Sequence, residues 1–442
     1  MAKTVYCILL LCTLSFSGWE RVTEYTPWAT DGYLDLRTVF FLDTLNGWIG
    51  GQEHIKTGRT KDHYLAYTTD GGLNWTEQFV DSSLHLILDL FFVDRNVGWL
   101  TGLSHDSKGM IVNTTDGGKT WNTVLSDSSL RSPRKILFPT PSVGYFFTYN
   151  NPVSLVGKTI DGGKNWSIKD GRLDWWGLFE DAFFINADTG FAVGEAGGSG
   201  FVNRTVDGGT SWETLFPRID GKSLPNFASV FFLDSKRGWV GGYNYTIAYT
   251  ADGGNTWEIQ KDGSADGIYP IEGLHFVNDT VGWATGWYQL YFTQNGGKTW
   301  ASVTMDTTFQ SKRMHFVIPN HGWIVGGYNT VYRTTDNGGH PQAVSVLPNM
   351  RNKYKSSFNN IRLASVQNRG VIKVHYSMVS DGSVSISVYD LKGSKIVSLP
   401  EKIHLKGEHC FSFKASRGFY LLDVRGRSSG KEIKAVEKIF VN

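Results

Sequence analysis

The chain repeats itself, and the repeat limits its possible folds more than any other property does. The element Thr-x-Asp-Gly-Gly-x-x-Trp first occurs at Thr68-Thr69-Asp70-Gly71-Gly72 with Trp75. It recurs at residues 114–121, 159–166, 205–212 and 250–257. A sixth copy, 293–300, has Asn295 in the aspartate slot, and a seventh, around Asp336, has one extra residue and no tryptophan. The key positions Asp70, Asp116, Asp161, Asp207, Asp252, Asn295 and Asp336 lie 41 to 46 residues apart, the period of a propeller blade.

A second element runs in phase with the first. It is an apolar strand, a polar turn and then Gly-Trp, as in Val39-Phe40-Phe41-Leu42-Asp43 before Gly47-Trp48, and in residues 230–234 before Gly238-Trp239. The Gly-aromatic pair returns at Trp99, Tyr145, Phe191, Trp283 and Trp323. Each period thus holds four strands without helical periodicity, which predicts an all-β, seven-bladed β-propeller over residues 18–340.

Turn chemistry explains the box. A short carboxylate can accept hydrogen bonds from amides one or two residues on and fix a tight turn. The paired glycines take positive φ, and the tryptophan gives the hairpin an apolar body to pack. The seven box residues are therefore expected to be structural. The seventh box lacks a tryptophan and an outer strand. Gly18-Trp19-Glu20-Arg21-Val22 matches Ser211-Trp212-Glu213-Thr214-Leu215 in pattern, so the N-terminal segment is expected to close the ring as the last blade's outer strand.

Residues 1–17 read as an export leader: Lys3, an apolar run, and Ser15-Phe16-Ser17 as a small-x-small cleavage site. Cys7 and Cys12 fall in the leader, leaving Cys410 alone, so no internal disulfide is expected. The net charge of +2, with no basic cluster, gives no reason to expect nucleic acid or an anionic membrane as partner. Histidines such as His54, His63 and His105 have no metal-ligand spacing in sequence. No phosphate loop or Gly-x-Ser-x-Gly is present. Neither a cofactor nor a metal is expected.

Residues 341–360 are polar and read as a linker. Beyond them, period-2 alternation at 384–393 and 418–424 with tight turns predicts a small C-terminal β-sandwich over 361–442.

These residues carry two resemblances. The paired Gly-Trp and Thr-x-Asp-Gly-Gly-x-x-Trp elements resemble the Asp-box (bacterial neuraminidase) repeat propellers, and more closely the photosystem II stability and assembly factor-like group. That group's fold hosts glycosidases, assembly factors and sorting receptors, so the resemblance implies fold more than function. The C-terminal segment, with 384–393, 404–409, 418–424 and 436–442, resembles the sorting domain of the type IX (Por) secretion system. That resemblance implies a Gram-negative, Bacteroidetes-like bacterium. It also implies the type IX machinery as export partner and a secreted or cell-surface product, with membrane contact only during export or through later anchoring. A protein sent past the outer membrane cannot service thylakoid complexes.

Sites on propellers lie where variable loops meet a rigid scaffold. Here those are the second-to-third-strand turns and the blade-to-blade connections, on the face opposite the boxes. The candidates there are Arg172, Asp174, Trp175, Trp176, Asp181, Arg218, Asp220, Tyr243, Tyr245, Tyr269, Trp287, Tyr288 and Tyr328. Exposed rings with a few charges fit glycan or protein recognition. The expected function is a non-catalytic binding or scaffold propeller. The alternative is a glycoside hydrolase, which needs two carboxylates at a defined separation, with Asp174, Glu180, Asp181 and Asp220 as candidates. The Phe/Tyr-Arg-Ile-Pro signature of sialidases is absent.

Overall fold

A computed structural model describes residues 18–22, 32–55, 60–80, 83–150, 154–170, 177–303, 305 and 308–338, and the strands lying between 371 and 441. The leader 1–17 and the linker 341–360 lie outside the described residues. The chain forms two units, Met1–Ser345 and Val346–Asn442. Every regular element described is a β-strand.

The first unit contains seven four-stranded antiparallel sheets. In blade 5, for example, Phe227–Phe232, Gly238–Gly242, Ile247–Thr250 and Glu258–Lys261 pair in sequence order. The seven inner strands are Gly32–Phe41, Leu84–Phe92, Pro133–Leu137, Gly177–Phe184, Phe227–Phe232, Ile271–Phe276 and Ser311–Ile318, numbered here as blades 1 to 7. Each touches the next, and the seventh touches the first, so the ring is closed.

Blade 7 is completed from the other end of the sequence. Glu20–Arg21 pairs with Thr330–Thr334, placing Glu20 opposite Arg333 and Arg21 opposite Tyr332. The expected N-terminal closure is thus what the fold uses, and it removes a free sheet edge.

Aromatic packing explains why both repeat elements are needed in every blade. Each inner strand leads to a phenylalanine: Phe41, Phe92, Phe138, Phe184, Phe232, Phe276 or Phe316. In blades 1 to 6 the Gly-aromatic ring of the preceding blade stacks on it, and in blade 7 the His275 ring of blade 6 lies on Phe316 at 4.8 Å. Trp323 of blade 7 lies on Phe41 at 3.4 Å between ring centroids, with the planes 6° apart. The same stack joins Trp48 to Phe92 at 3.7 Å, Trp99 to Phe138 at 3.9 Å and Tyr145 to Phe184 at 4.2 Å. It also joins Phe191 to Phe232 at 3.5 Å and Trp239 to Phe276 at 3.6 Å.

In most blades the blade's own box tryptophan meets the phenylalanine edge-on, as Trp75 does Phe41 at 6.0 Å and Trp121 does Phe92 at 6.0 Å. In blade 7 the ring in that role is Trp19, edge-on to Phe316 at 5.8 Å and to Trp283 at 5.4 Å. Each such pair adds about 0.5–1.5 kcal/mol beyond area burial. The glycine of Gly-Trp has a steric reason as well: a Cβ at Gly47 would enter the Phe41 ring.

The box differs in one detail from the expected turn. The aspartate reaches four residues on, not one or two. The Asn74 amide donates to Asp70 Oδ1 at 2.9 Å, while the Thr68 hydroxyl donates to the same oxygen at 2.8 Å. The Gly72 amide in turn donates to Thr68 Oγ1 at 3.0 Å. This network recurs at Asp116, Asp161, Asp207, Asp252 and Asn295, and Thr334 donates to Asp336 likewise. The amide bond from Thr120 holds the Asp116 carboxyl at about 2, and that from Asn165 does the same for Asp161. Acids held that low stay ionised and do not serve as proton donors near neutrality. The box also bonds to the Gly-Trp turn, with Gly71 N donating to Leu45 O at 2.9 Å and Gly253 N to Lys236 O at 2.8 Å. Both elements therefore share one face.

In the second unit, Gly382–Asp390 lies between Lys395–His404 and Gly418–Ser428, with Lys431–Val441 outermost. Val371–Met378 pairs separately with Gly407–Lys414. Val384, Ile386 and Val388 are buried while Ser383, Ser385 and Ser387 are half-buried, the alternation expected of a strand with one covered face.

If Trp19 is the box tryptophan of blade 7, Trp19→Ala should destabilise the protein by about 3–5 kcal/mol, as much as Trp75→Ala. Urea unfolding of the two variants measures this; wild-type stability in Trp19→Ala would refute the closure.

Candidate functional site

The seven inner strands share an irregularity. Pairing with the second strand shifts register between Leu36 and Thr38, Ile87 and Asp89, Pro133 and Lys135, and Phe179 and Asp181. It shifts again between Phe227 and Ser229, Ile271 and Gly273, and Ser311 and Arg313. The extra residues are Arg37, Leu88, Arg134, Glu180, Ala228, Glu272 and Lys312. A bulge frees its residue from the ladder and re-aims the side chain. Here all seven converge, with Arg313, on a single cavity of about 90 Å³.

Three residues farther along each strand stand Phe40, Phe91, Leu137, Phe183, Phe231, His275 and His315, about 10 Å away at strand rise. Their rings touch from blade to blade: Phe40 meets Phe91 at 4.8 Å and His315 at 4.9 Å, and Phe231 meets Phe183 at 5.1 Å and His275 at 4.9 Å. Because the inner strands run toward the box face, the charged ring is the upper layer on the loop side and the aromatic ring its floor. Burial pushes His275 down to about 3 and His315 down to about 4, so the floor is neutral at physiological pH.

Most charges of the well are paired. Arg134 bonds Glu180. Lys312 reaches Asp35 at 2.6 Å and Arg37 reaches it at 3.2 Å. Arg313 meets Asp181 at 3.4 Å, and Lys135 bridges Asp181 at 3.2 Å and Asp89 at 3.6 Å. Among the described residues no ion pair reaches Glu272. Its Oε2 is buried with no hydrogen-bond partner. Burial pushes its carboxyl up to about 7, despite the opposing pull of Lys312 and Arg313. Burial also raises Glu180, although Arg134 opposes it.

Aromatic rings stand around the mouth. Tyr269 stacks on Trp287 at 5.2 Å and meets Tyr288 edge-on at 5.6 Å. The Lys312 ammonium lies 6.0 Å from the Trp287 ring, which ties this platform to the well. Gln310 Nε2 donates to the Tyr288 hydroxyl at 3.0 Å. On the other side Tyr33 stacks on Tyr328 at 4.5 Å, and the Arg134 guanidinium lies 4.2 Å from the Tyr149 ring. Burial raises the Tyr243 phenol, and Glu180, Glu195 and Glu272 raise it further.

Two of these tyrosines have positive φ, Tyr288 at 65° and Tyr328 at 52°, as does the neighbouring Tyr245 at 50°. Large side chains rarely adopt that conformation, and each instance costs about 1–3 kcal/mol. Tyr288 and Tyr328 are also 45% and 50% exposed, so burial does not offset the cost. Asn244–Tyr245 and Tyr328–Asn329 are consecutive positive-φ pairs, the backbone that a two-residue hairpin turn requires.

The sequence candidates divide accordingly. Tyr243, Tyr269, Trp287, Tyr288 and Tyr328 form the rim. Tyr245 is a correction: its ring is buried and its hydroxyl donates to the Trp287 carbonyl, so it supports the platform from beneath. Asp181 is a second one. It lies within Gly177–Phe184, is buried, and accepts from the Val230 amide at 3.2 Å, bridging blades. Arg218 and Asp220 belong to a separate hairpin, Arg218–Ile219 with Lys222–Ser223, and do not join the well. Arg172, Asp174, Trp175 and Trp176 lie outside the described residues.

Sequence reasoning passed over Arg37, Arg134, Glu272, Lys312 and Arg313. A signal for most of them exists: the residue four before each repeat phenylalanine is Arg, Leu, Arg, Glu, Ala, Glu or Lys inside an otherwise apolar strand. Spacing in the sequence also does not reveal that the fold brings Asp62, His85 and His105 together.

A larger crevice, about 710 Å³, opens on the box side between blades 1 and 2. Its walls are turn groups already bonded to one another, such as the Gln78 amide on the Gly117 carbonyl at 3.0 Å.

A sequence profile described as photosynthesis system II assembly factor YCF48 matches residues 211–312. The propeller is similar to that of YCF48. Against the structure of YCF48 bound to a D1 peptide, identity is 21% and TM-score 0.56, covering 73% of this chain and 98% of that one. Against YCF48 from Cyanidioschyzon merolae the values are 18% and 0.55, covering 72% and 98%. The extracellular domain of a hybrid two-component system from B. thetaiotaomicron is 9% identical with TM-score 0.53, covering 96% of this chain and 59% of that one. At these identities the likeness is one of fold. No curated protein matches the chain.

The unpaired carboxyl gives a pH signature. Glu272 titrates at about 7 when folded and near 4.5 when unfolded. Between those values the folded state binds more protons, so this group's contribution to stability falls as pH rises from 4.5 through 7. Glu272→Gln should match the wild type at pH 5 and exceed it by about 1–3 kcal/mol at pH 8. Chemical denaturation at the two pH values tests this, and a stability difference independent of pH would contradict it.

Proposed function

We propose that the propeller is a non-catalytic binding module that grips a peptide segment of a partner protein on its loop face. The observation that carries this reading is the convergence of seven bulges on one well, beside a rim of exposed and partly strained aromatic rings. Flat rings cover apolar and planar parts of a chain. The well takes one protruding group. Glu272 is its one carboxyl without an ion pair among the described residues, so the group it suits is a hydrogen-bond donor, best a lysine, arginine or amine tip. Such a cation would be held by the carboxylate and by the ring faces at the mouth. YCF48 has been seen bound to a peptide, which supports the ligand class without fixing the ligand.

The glycosidase alternative is less well supported. Two carboxyls line the cavity, Glu180 and Glu272, and Glu180 is committed to Arg134, so the pair of working carboxyls that glycoside hydrolysis needs is not free there. Sugars remain compatible with the rim as bound ligands only.

The export reading belongs to the same proposal. The apolar leader at 1–17 and the strand-rich segment 361–442 support delivery to the outer surface, with the propeller as the working part.

Two experiments check these readings. Trp287→Ala and Tyr288→Ala should each weaken binding of the best lysine-bearing peptide from a display library by about tenfold or more, with the melting curve little changed. Turnover of any member of a chromogenic glycoside panel would overturn the non-catalytic reading. For export, a chain ending at residue 355 should stay in the periplasm of its native host; normal surface display would refute the sorting role.

A further inference from the structure

Away from the well, the loop face gathers three side chains with metal-ligand chemistry. We propose that Asp62, His85 and His105 bind a divalent transition-metal ion that fastens blade 1 to blade 2. Asp62 comes from Thr60–Thr68, the third strand of blade 1. His85 is in the inner strand Leu84–Phe92 of blade 2, and His105 directly follows that blade's second strand, Gly98–Ser104. The three potential donor atoms all lie within 4.8 Å of one another. His105 Nε2 is 3.0 Å from Asp62 Oδ1, and the two imidazole rings are 4.8 Å apart at 42°.

Donor atoms about 2.1 Å from a common ion are at most about 4.2 Å apart, so the site closes with a movement of less than about an ångström. Asp62 and His105 can make it, because both side chains are 53% exposed. His85 is the fixed member.

A second observation points to a ligand. His85 Nδ1 is buried and has no hydrogen-bond partner, a state that is costly for an imidazole nitrogen. On the far side of the ring, Gln52 Nε2 lies 2.9 Å from His85 Nε2 and 3.3 Å from the His85 carbonyl. Coordination through Nδ1 leaves the proton on Nε2. A half-turn of the Gln52 amide then presents its oxygen to that proton, the outer-shell support that ligating histidines receive. The neighbouring His63 is not available as a fourth ligand. Its Nδ1 lies 2.8 Å from the Leu84 carbonyl, and its Nε2 accepts from the Val80 amide at 3.3 Å. Those bonds hold the two blades in register beneath the site.

Two imidazoles and one carboxylate suit zinc, cobalt, nickel or copper rather than magnesium or calcium. Three protein donors leave a coordination position for water or for a partner's side chain.

The test uses the full-length, tag-free protein stripped with EDTA. Titration with zinc chloride should give saturable one-to-one binding and a rise in melting temperature that EDTA reverses. Cobalt should give visible d–d absorption. His105→Ala and Asp62→Asn, both at exposed positions, should each lower zinc affinity about tenfold or more while leaving the metal-free melting curve unchanged. His54→Ala, outside the cluster, should bind as the wild type does. Absence of saturable binding in the wild type would overturn the proposal. So would binding that survives both His105→Ala and Asp62→Asn. The outcome is independent of peptide binding at the well.

Discussion

The structure depends on one packing arrangement that recurs around the ring: a phenylalanine at the end of the inner strand, held in most blades between two rings from different places in the sequence. One ring belongs to the preceding blade and lies flat on it; the other is the blade's own box tryptophan and meets it edge-on. Blade-to-blade adhesion is therefore built into the same side chain that anchors the blade internally. The box aspartate acts one step back from this contact. By fixing the turn with a threonine hydroxyl and an amide four residues on, it sets where the tryptophan re-enters the sheet. The glycine before the stacking ring leaves the phenylalanine its space. Seven weak motifs become one cooperative ring because each supplies half of its neighbour's contact.

A scaffold fastened at that level leaves the opposite end of the inner strands free to carry irregular features. The bulge occurs at the same register in all seven blades, so its geometry belongs to the fold and its side chain to the individual protein. In this chain the seven positions hold arginine, leucine, arginine, glutamate, alanine, glutamate and lysine. The ring pairs most of its own charges across blades and leaves Glu272 without an ion pair. A site built by such an offset needs no loop rearrangement, since the inner strands already aim its side chains. The rim is different in kind: its rings sit on turns, and two of them, Tyr288 and Tyr328, hold backbone conformations that aromatic residues rarely adopt.

The parts legible in the sequence were those that repeat. Blade number, the shared face of the boxes and Gly-Trp turns, and the role of Trp19 followed from residues that recur in step. The rim aromatics Tyr243, Tyr269, Trp287, Tyr288 and Tyr328 were legible because rings in turn segments have no core to fill. Asp181 and Tyr245 were misplaced for a common reason. A strand boundary a few residues away, two for Tyr245 and four for Asp181, decides whether a side chain faces solvent or a neighbouring blade, and the repeat does not resolve that. The well residues were harder to see because a charge within an apolar strand looks like an interruption until the bulge is known. Asp62, His85 and His105 could not be linked by spacing, since they meet only when two blades pack.

The closing strand has a consequence in time. Glu20 and Arg333 are 313 residues apart in sequence, whereas every other blade is assembled from neighbouring hairpins. Contacts of such long range carry the largest loop-closure entropy and form late. Six blades can fold in order as the chain lengthens, but the seventh must wait for its first-made strand to be recovered by its last-made ones. Until then Thr330–Thr334 lacks its outer partner, and the molecule is an arc with two unmatched ends, not yet a ring.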